Sequence, residues 1–275
     1  MKETLEYIIE LLLQLNVIDI SKYDETFLNK SIQKRIEVSN CKSVQDYCLL
    51  LEKDNEERLK LVNSLHNSYS EFFRNPLTFS VLERIILPEL ISKMKNSKRK
   101  EIRIWSTACA SGQEVYSLAM LLEECCNGQR INYRIFATDK NPSQLSLAVK
   151  GHFLPSSLTF LSMKRLNQWF TQQAEVYTIK QELKEHIDFS VFDLFNDELG
   201  CPSSSIFGDF DLVVCANLLF YYKNQYREAI LGKASKCLSI NGYLITGETE
   251  REILMHHNYH EAYPQSAIFR KMEFA

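Results

Sequence analysis

From Ile102 onward, short apolar runs of strand character (IRIW, RIFATD, HIDFSVFDL, FDLVVCAN and GYLITGE) alternate with helical stretches (EVYSLAMLLEECC, PSQLSLAVKG and NQYREAILGKASKCL). Strands this apolar must be covered on both faces, and the helices between them supply the cover while returning the chain to the same sheet edge. The pattern predicts an α/β fold: a doubly wound, mostly parallel, Rossmann-like sheet. In such a sheet, ligands lie beyond the carboxyl ends of the strands, where the strand order reverses.

The first strand–loop–helix unit narrows the ligand. IRIW runs into STACASGQE and then a helix, with Gly112 in the turn, and the next strand ends on Asp139. A glycine there lets backbone approach a ligand, and an acid at the tip of the second strand is placed to bind a ribose. The loop lacks the three glycines of G-x-G-x-x-G that admit a pyrophosphate, and no G-x-x-x-x-G-K-[ST] exists to cradle a nucleoside triphosphate. S-adenosylmethionine, an adenosine cofactor without phosphate, is the class that remains.

Before this sheet, LEYIIELLLQLN, YDETFLNKSIQKRIEVS, SVQDYCLLLEK and NEERLKLVNSLHN repeat apolar residues three and four apart, which predicts a small all-helical N-terminal domain. Pro76 suits the first turn of a helix, Pro88 marks the bend or end of one, and KMKNSKRK (93–100) reads as a solvated connector. WFTQQAEVYTIKQEL (169–183) alternates like a hairpin and predicts a small β subdomain. The net charge of −3 and the lack of a basic face interleaved with aromatics argue against a nucleic-acid partner. The apolar run Ile8–Ile18 is too short and too polar for a span or signal segment, so a cytoplasmic protein that is not membrane-embedded is expected. Eight cysteines without a C-x-x-C pair read as buried reduced thiols, and His256, His257 and His260 as loop histidines with no metal.

SEFFRNP, WSTACASGQEVYSLAMLL, FATD, CANLLFYY and GYLITGETE, in this order and spacing, resemble the CheR family. The resemblance covers nearly the whole chain. It implies a helical domain over 1–72 and an S-adenosylmethionine-dependent methyltransferase domain over 73–275, with a β insertion at about 165–185. It also implies esterification of glutamate side chains on the cytoplasmic domain of chemoreceptors, with S-adenosylhomocysteine as product.

Carried over by motif, the resemblance makes Arg74 and Tyr221 the methyl-transfer residues, with Arg74 also near the cofactor. It places Ser68, Ser70, Ala108, Gly112, Glu114, Asp139, Asp193, Leu194, Ala216 and Asn217 around the cofactor. Ser68 stands where the family has asparagine, Ser70 replaces a threonine, and Asp193 replaces an asparagine. The largest departure is Ala216, where C-R-N would have an arginine. Alanine cannot grip a carboxylate as a guanidinium does. Arg251 or Arg227 would have to substitute, or the chain is a catalytically weakened adaptor that binds S-adenosylmethionine or its product.

Simpler roles compete for single residues. Glu114 suits the first turn of a helix, Asp139 could cap the helix beginning at Pro142, Arg74 could sit on a helix surface, and Tyr221 could close the sheet. Phe72 and Phe73 read as core. In relatives that bind a receptor's C-terminal pentapeptide the hairpin turn is longer and contains glycine, whereas TQQAEVYTIK has none, so no peptide tethering is expected. Residues 1–64 hold nine basic and twelve acidic side chains, which predicts modest attraction to an acidic receptor.

Overall fold

The computed structural model describes residues 2–65, 69–126, 128, 131–196, 198–205, 207–257 and 259–271, which leaves Ser68 outside the described residues. Two compact units are present, Met1–Asn67 with Phe220–Glu228, and Ser68–Leu219 with Ala229–Ala275.

The first unit contains α1 (Lys2–Gln14), α2 (Glu25–Val38), α3 (Val44–Lys53) and α4 (Asn55–Leu65). Asp24 caps α2 by accepting from the amides of Thr26 and Phe27, and Ser43 caps α3 by accepting from Asp46. Leu28, Ile32 and Ile36, four apart, form the buried stripe of α2. Glu57 is buried among these helices. It accepts from Arg35 Nε at 2.9 Å and Nη2 at 2.5 Å, and from the Tyr47 hydroxyl at 2.9 Å. Segment 220–228 joins this unit by backbone bonds from Asp24 N to Tyr221 O and from Lys223 N to Lys22 O, and by the Tyr222 ring stacked 5.2 Å from that of Tyr23.

The second unit opens with α5 (Pro76–Val81), a π-helical turn over Leu82–Ile86, and α6 (Leu87–Lys95). Pro88 therefore neither ends nor breaks the helix. Its missing N–H would orphan a carbonyl one turn back, and the π-helical turn just before it absorbs the mismatch, with Leu87 N bonding to Leu82 O five residues earlier.

Strands and helices then alternate through β1 (Glu101–Ser106), α7 (Gln113–Cys126), β2 (Asn132–Asp139), α8 (Pro142–Lys150), β3 (His152–Phe153), α9 (Met163–Trp169), β4 (Phe170–Gln173), β5 (Val176–Ile179), α10 (Gln181–Lys184), β6 (Ile187–Val191), β7 (Phe210–Val214), α11 (Asn224–Cys237), β8 (Leu238–Ile245), α12 (Arg251–Met255), β9 (Tyr259–Glu261) and β10 (Ile268–Lys271). The main sheet has seven strands in the order β6-β2-β1-β7-β8-β10-β9. Its first five run parallel, β10 runs antiparallel to β8, and β9 runs antiparallel to β10. The chain leaves β1 towards β2 on one side and returns to β7 on the other, so the switch point lies between β1 and β7.

Three readings of the sequence need correction. The basic connector is not simply solvated, because Arg99 grips buried Asp211 of β7 through two 2.6 Å bonds and Lys100 donates to the last carbonyls of α6. Cys201 and Cys237, 36 residues apart and without a local pattern, form a disulfide instead of staying reduced. The hairpin is one part of a three-stranded sheet ordered β3-β5-β4, completed by His152–Phe153.

Breaking a buried ion pair leaves a lone charge in the core, at a cost of about 3 kcal/mol or more. Arg35→Ala should therefore lower the urea midpoint of the first unit, by more than Tyr47→Phe, which removes a hydroxyl and leaves the Arg35–Glu57 pair intact.

Candidate active site

At the carboxyl edge of β1 the chain leaves the sheet tied to both neighbours. Thr107 N donates to Val214 O of β7 at 3.0 Å, and Cys109 N to Thr138 O of β2 at 2.8 Å. Ala110 takes a left-handed backbone, φ 47°, and its amide donates to Asp139 Oδ2 at 2.9 Å. Asp139 Oδ1 accepts from Asn141 N at 2.8 Å. The cap of α8 is Asn141, which accepts from Ser143 N, so Asp139 is not the residue that caps that helix. Gly112, φ 93°, bonds its amide to Cys109 O, and a Cβ there would lie 3.0 Å from that of Ala148. The glycine lets the loop pass against α8 and leaves its own amide to the loop.

Glu114 stands half-buried in the first turn of α7 and accepts from Ser106 Oγ at 2.8 Å. Burial pushes its carboxyl up to about 7, against the opposing influence of the Ser106 hydroxyl and the Arg74 charge, with Glu250 adding to the rise. An acid held near neutrality without full compensation is suited to receive a cation. Burial also lifts the Cys109 and Cys215 thiols, which stay protonated and are no nucleophiles.

Arg74 is half-buried on a loop between two left-handed residues, Phe73 at φ 50° and Asn75 at φ 65°. Phe73 N donates to Ser117 Oγ of α7 at 3.0 Å. The Phe72 ring meets Phe153 of β3 edge-on at 4.8 Å and Phe170 of β4 at 5.7 Å. The Arg165 guanidinium of α9 lies 4.5 Å over the Phe73 ring while pairing with Glu83 and Glu124. Both phenylalanines are core residues, as their apolar character suggested. Arg74 Nη1 donates to Tyr69 O at 3.2 Å, and its guanidinium lies 5.3 Å from the Tyr69 ring centre. Ser70 is half-buried in the same segment.

The remaining candidates lie on neighbouring loops. Ala108 is half-buried after β1; beyond β6, Asp193 is exposed and Leu194 is buried. Ala216 and Asn217, both half-buried, follow β7, and Asn217 is left-handed at φ 58°. Tyr221 belongs to the first unit, where its ring meets that of Phe27 edge-on at 4.8 Å. Both arginines that could substitute for the one replaced by Ala216 are paired with carboxylates. Arg251 is locked to Glu261 by bonds of 2.6 and 2.7 Å, and Arg227 belongs to the first unit, 3.7 Å from Asp24.

One residue without an expected role, Glu250, is fully buried and accepts from the amides of Asn217, Leu219 and Gly247. The available signal was an acid one turn beyond the glycine that ends an apolar strand.

Two family models match the chain: "CheR methyltransferase, SAM binding domain" over residues 68–268 and "CheR methyltransferase, all-alpha domain" over residues 3–66. The chain is 30% identical over 257 residues to the chemotaxis protein methyltransferase of Borreliella burgdorferi, covering 90% of this chain and 88% of that one. It is 30% identical over 236 residues to the protein of the same name from Listeria monocytogenes, covering 85% and 84%. It is 32% identical over 199 residues to chemotaxis protein methyltransferase 1 of Pseudomonas aeruginosa, covering 70% and 69%.

Because the folded state raises the Glu114 carboxyl from 4.5 to about 7, it holds the proton more tightly than the unfolded chain does. The ligand-free protein should therefore lose stability as pH rises through that window, and the full penalty should be present above it. Glu114→Gln should raise the melting temperature at pH 8 and leave it nearly unchanged at pH 4. A pH-independent effect would show that Glu114 does not titrate as described.

Proposed function

Because the chain belongs to the CheR methyltransferase family and is an S-adenosylmethionine-dependent methyltransferase, we propose that its acceptors are glutamate carboxylates on the cytoplasmic domain of chemoreceptor proteins. The first support is that the carboxyl edge suits the cofactor's chemistry. Glu114, half-buried and near neutrality, fits the ammonium of an amino-acid tail, and Asp139 keeps lone pairs beyond the two bonds to Ala110 and Asn141 for ribose hydroxyls. No lysine-bearing phosphate loop is present, in keeping with a ligand that carries no phosphate. Asp193 and Leu194 would flank the adenine, with Ser70, Ala108, Ala216 and Asn217 elsewhere around the cofactor. When bound, S-adenosylmethionine supplies a methyl carbon activated by its sulfonium.

The acceptor carboxylate is already ionised at neutral pH, so the chain needs no general base. Its work is positioning: the Arg74 guanidinium would receive the two oxygens as a planar fork, and the Tyr221 hydroxyl is given the role of orienting the group by the family resemblance alone. The observation that carries this reading is the placement of Arg74. Its charge acts on Glu114, and its loop is held by Ser117 and two aromatic contacts, which supports a fixed station for the cation beside the first turn of α7. With Ala216 lacking a charge and Arg251 committed to Glu261, binding of the carboxylate falls mainly to Arg74.

Incubation with labelled cofactor and receptor cytoplasmic fragments should give base-labile methyl esters; none under saturating cofactor would overturn the reading. Arg74→Ala should lower kcat by about a hundredfold or more while S-adenosylhomocysteine binding changes little. The two-residue turn Ala174–Glu175 between paired Gln173 and Val176 supports the absence of peptide tethering. Receptors with and without a C-terminal pentapeptide should accordingly be methylated at equal rates.

A further inference from the structure

Glu250 links two strand tips. Its Oε2 accepts from Asn217 N at 2.7 Å and Gly247 N at 2.8 Å, and its Oε1 from Leu219 N at 2.6 Å. Asn217 and Leu219 lie on the turn leaving β7, and Gly247 follows the neighbouring parallel strand β8. The carboxylate is fully enclosed, and burial of that kind is tolerated where backbone donors surround the oxygens.

The side chain of Asn217 is fixed from the same direction. A Cβ on Gly247 would stand 2.4 Å from Asn217 Nδ2, far inside contact distance, and 3.0 Å from Glu250 Oε2, so the amide occupies most of the space left by the missing methyl group. Gly247 itself has φ −70° and ψ 149°, a conformation open to any residue. Its lack of a side chain therefore serves Asn217 and not its own backbone.

We propose that Glu250 is a positioning residue of the methyl-transfer site, acting with Gly247. The carboxylate sets the left-handed backbone of Asn217, and the bare Cα of Gly247 sets where its amide group lies. This rests on the reading that Asn217 contacts the cofactor. Neither Glu250 nor Gly247 touches the reacting atoms.

The most direct test is Gly247→Ala. The backbone accepts alanine and the displaced group is a side-chain end, so the fold should survive with its melting temperature close to that of the wild type. The dissociation constant for S-adenosylhomocysteine should rise about tenfold, the size expected when one buried polar contact is lost. In an Asn217→Ala background the same change should add far less, because only the 3.0 Å approach to Glu250 Oε2 is left. Glu250→Gln keeps an oxygen for one side but turns an amino group against the amides on the other. It should weaken product binding and raise the KM for cofactor more than it lowers kcat, and Glu250→Asp, one methylene short, should not rescue it.

A wild type that fails to bind S-adenosylhomocysteine would overturn the cofactor-site reading itself, and this proposal with it. If the wild type binds and either Asn217→Ala or Gly247→Ala binds equally well, the proposal alone fails. It also fails if the two changes are additive, or if Glu250→Gln lowers the melting temperature while binding and KM stay unchanged.

Discussion

Left-handed backbone at residues other than glycine costs about 1–3 kcal/mol each, and the carboxyl edge of this sheet holds several such residues. Phe73, Ala110 and Asn217 all have positive φ, and each gives its amide to a side-chain oxygen from another part of the fold: Ser117 of α7, Asp139 of β2 and Glu250 beyond β8, respectively. The chain turns sharply where it leaves the sheet at Ala110 and Asn217 and just before α5 at Phe73, and helices, strands and neighbouring loops supply the acceptors that hold those turns. Arg74, Gly112 and Asn217 take their places from this arrangement. The local strain is balanced by long-range hydrogen bonds, so the site exists only once the sheet and its helices have assembled.

Much of the architecture was legible because β1, β2, β7 and β8 are long apolar runs, and the intervening helices carry clear three-and-four spacing. The loop order around Gly112, Glu114 and Asp139 could be read for the same reason, since strand ends announce themselves. Strands β9 and β10 were less visible. They are three and four residues long, pair antiparallel at the edge, and include His260, Glu261, Arg270 and Lys271, which lack an apolar pattern. The Cys201–Cys237 disulfide had no signature because its partners meet only through the tertiary fold.

The candidate site divides along the same line. Residue types at strand tips could be nominated from position, but burial and backbone conformation could not. Gly112 looked like an amide placed for a ligand, whereas its amide bonds to Cys109 and its missing Cβ makes room for Ala148. Glu250 looked like one more acid in a polar GETE stretch. Its complete burial depends on two turns closing over it, which local sequence does not report.

The small sheet β3-β5-β4 divides into a base and a tip with unlike obligations. At the base, Phe153 and Phe170 grip Phe72, and Arg165 covers Phe73, next door to Arg74. At the tip, Gln172, Gln173, Ala174 and Glu175 are exposed. The tip is thus open to substitution at little cost to the fold, whereas any change to the aromatic root reaches the loop that carries Arg74.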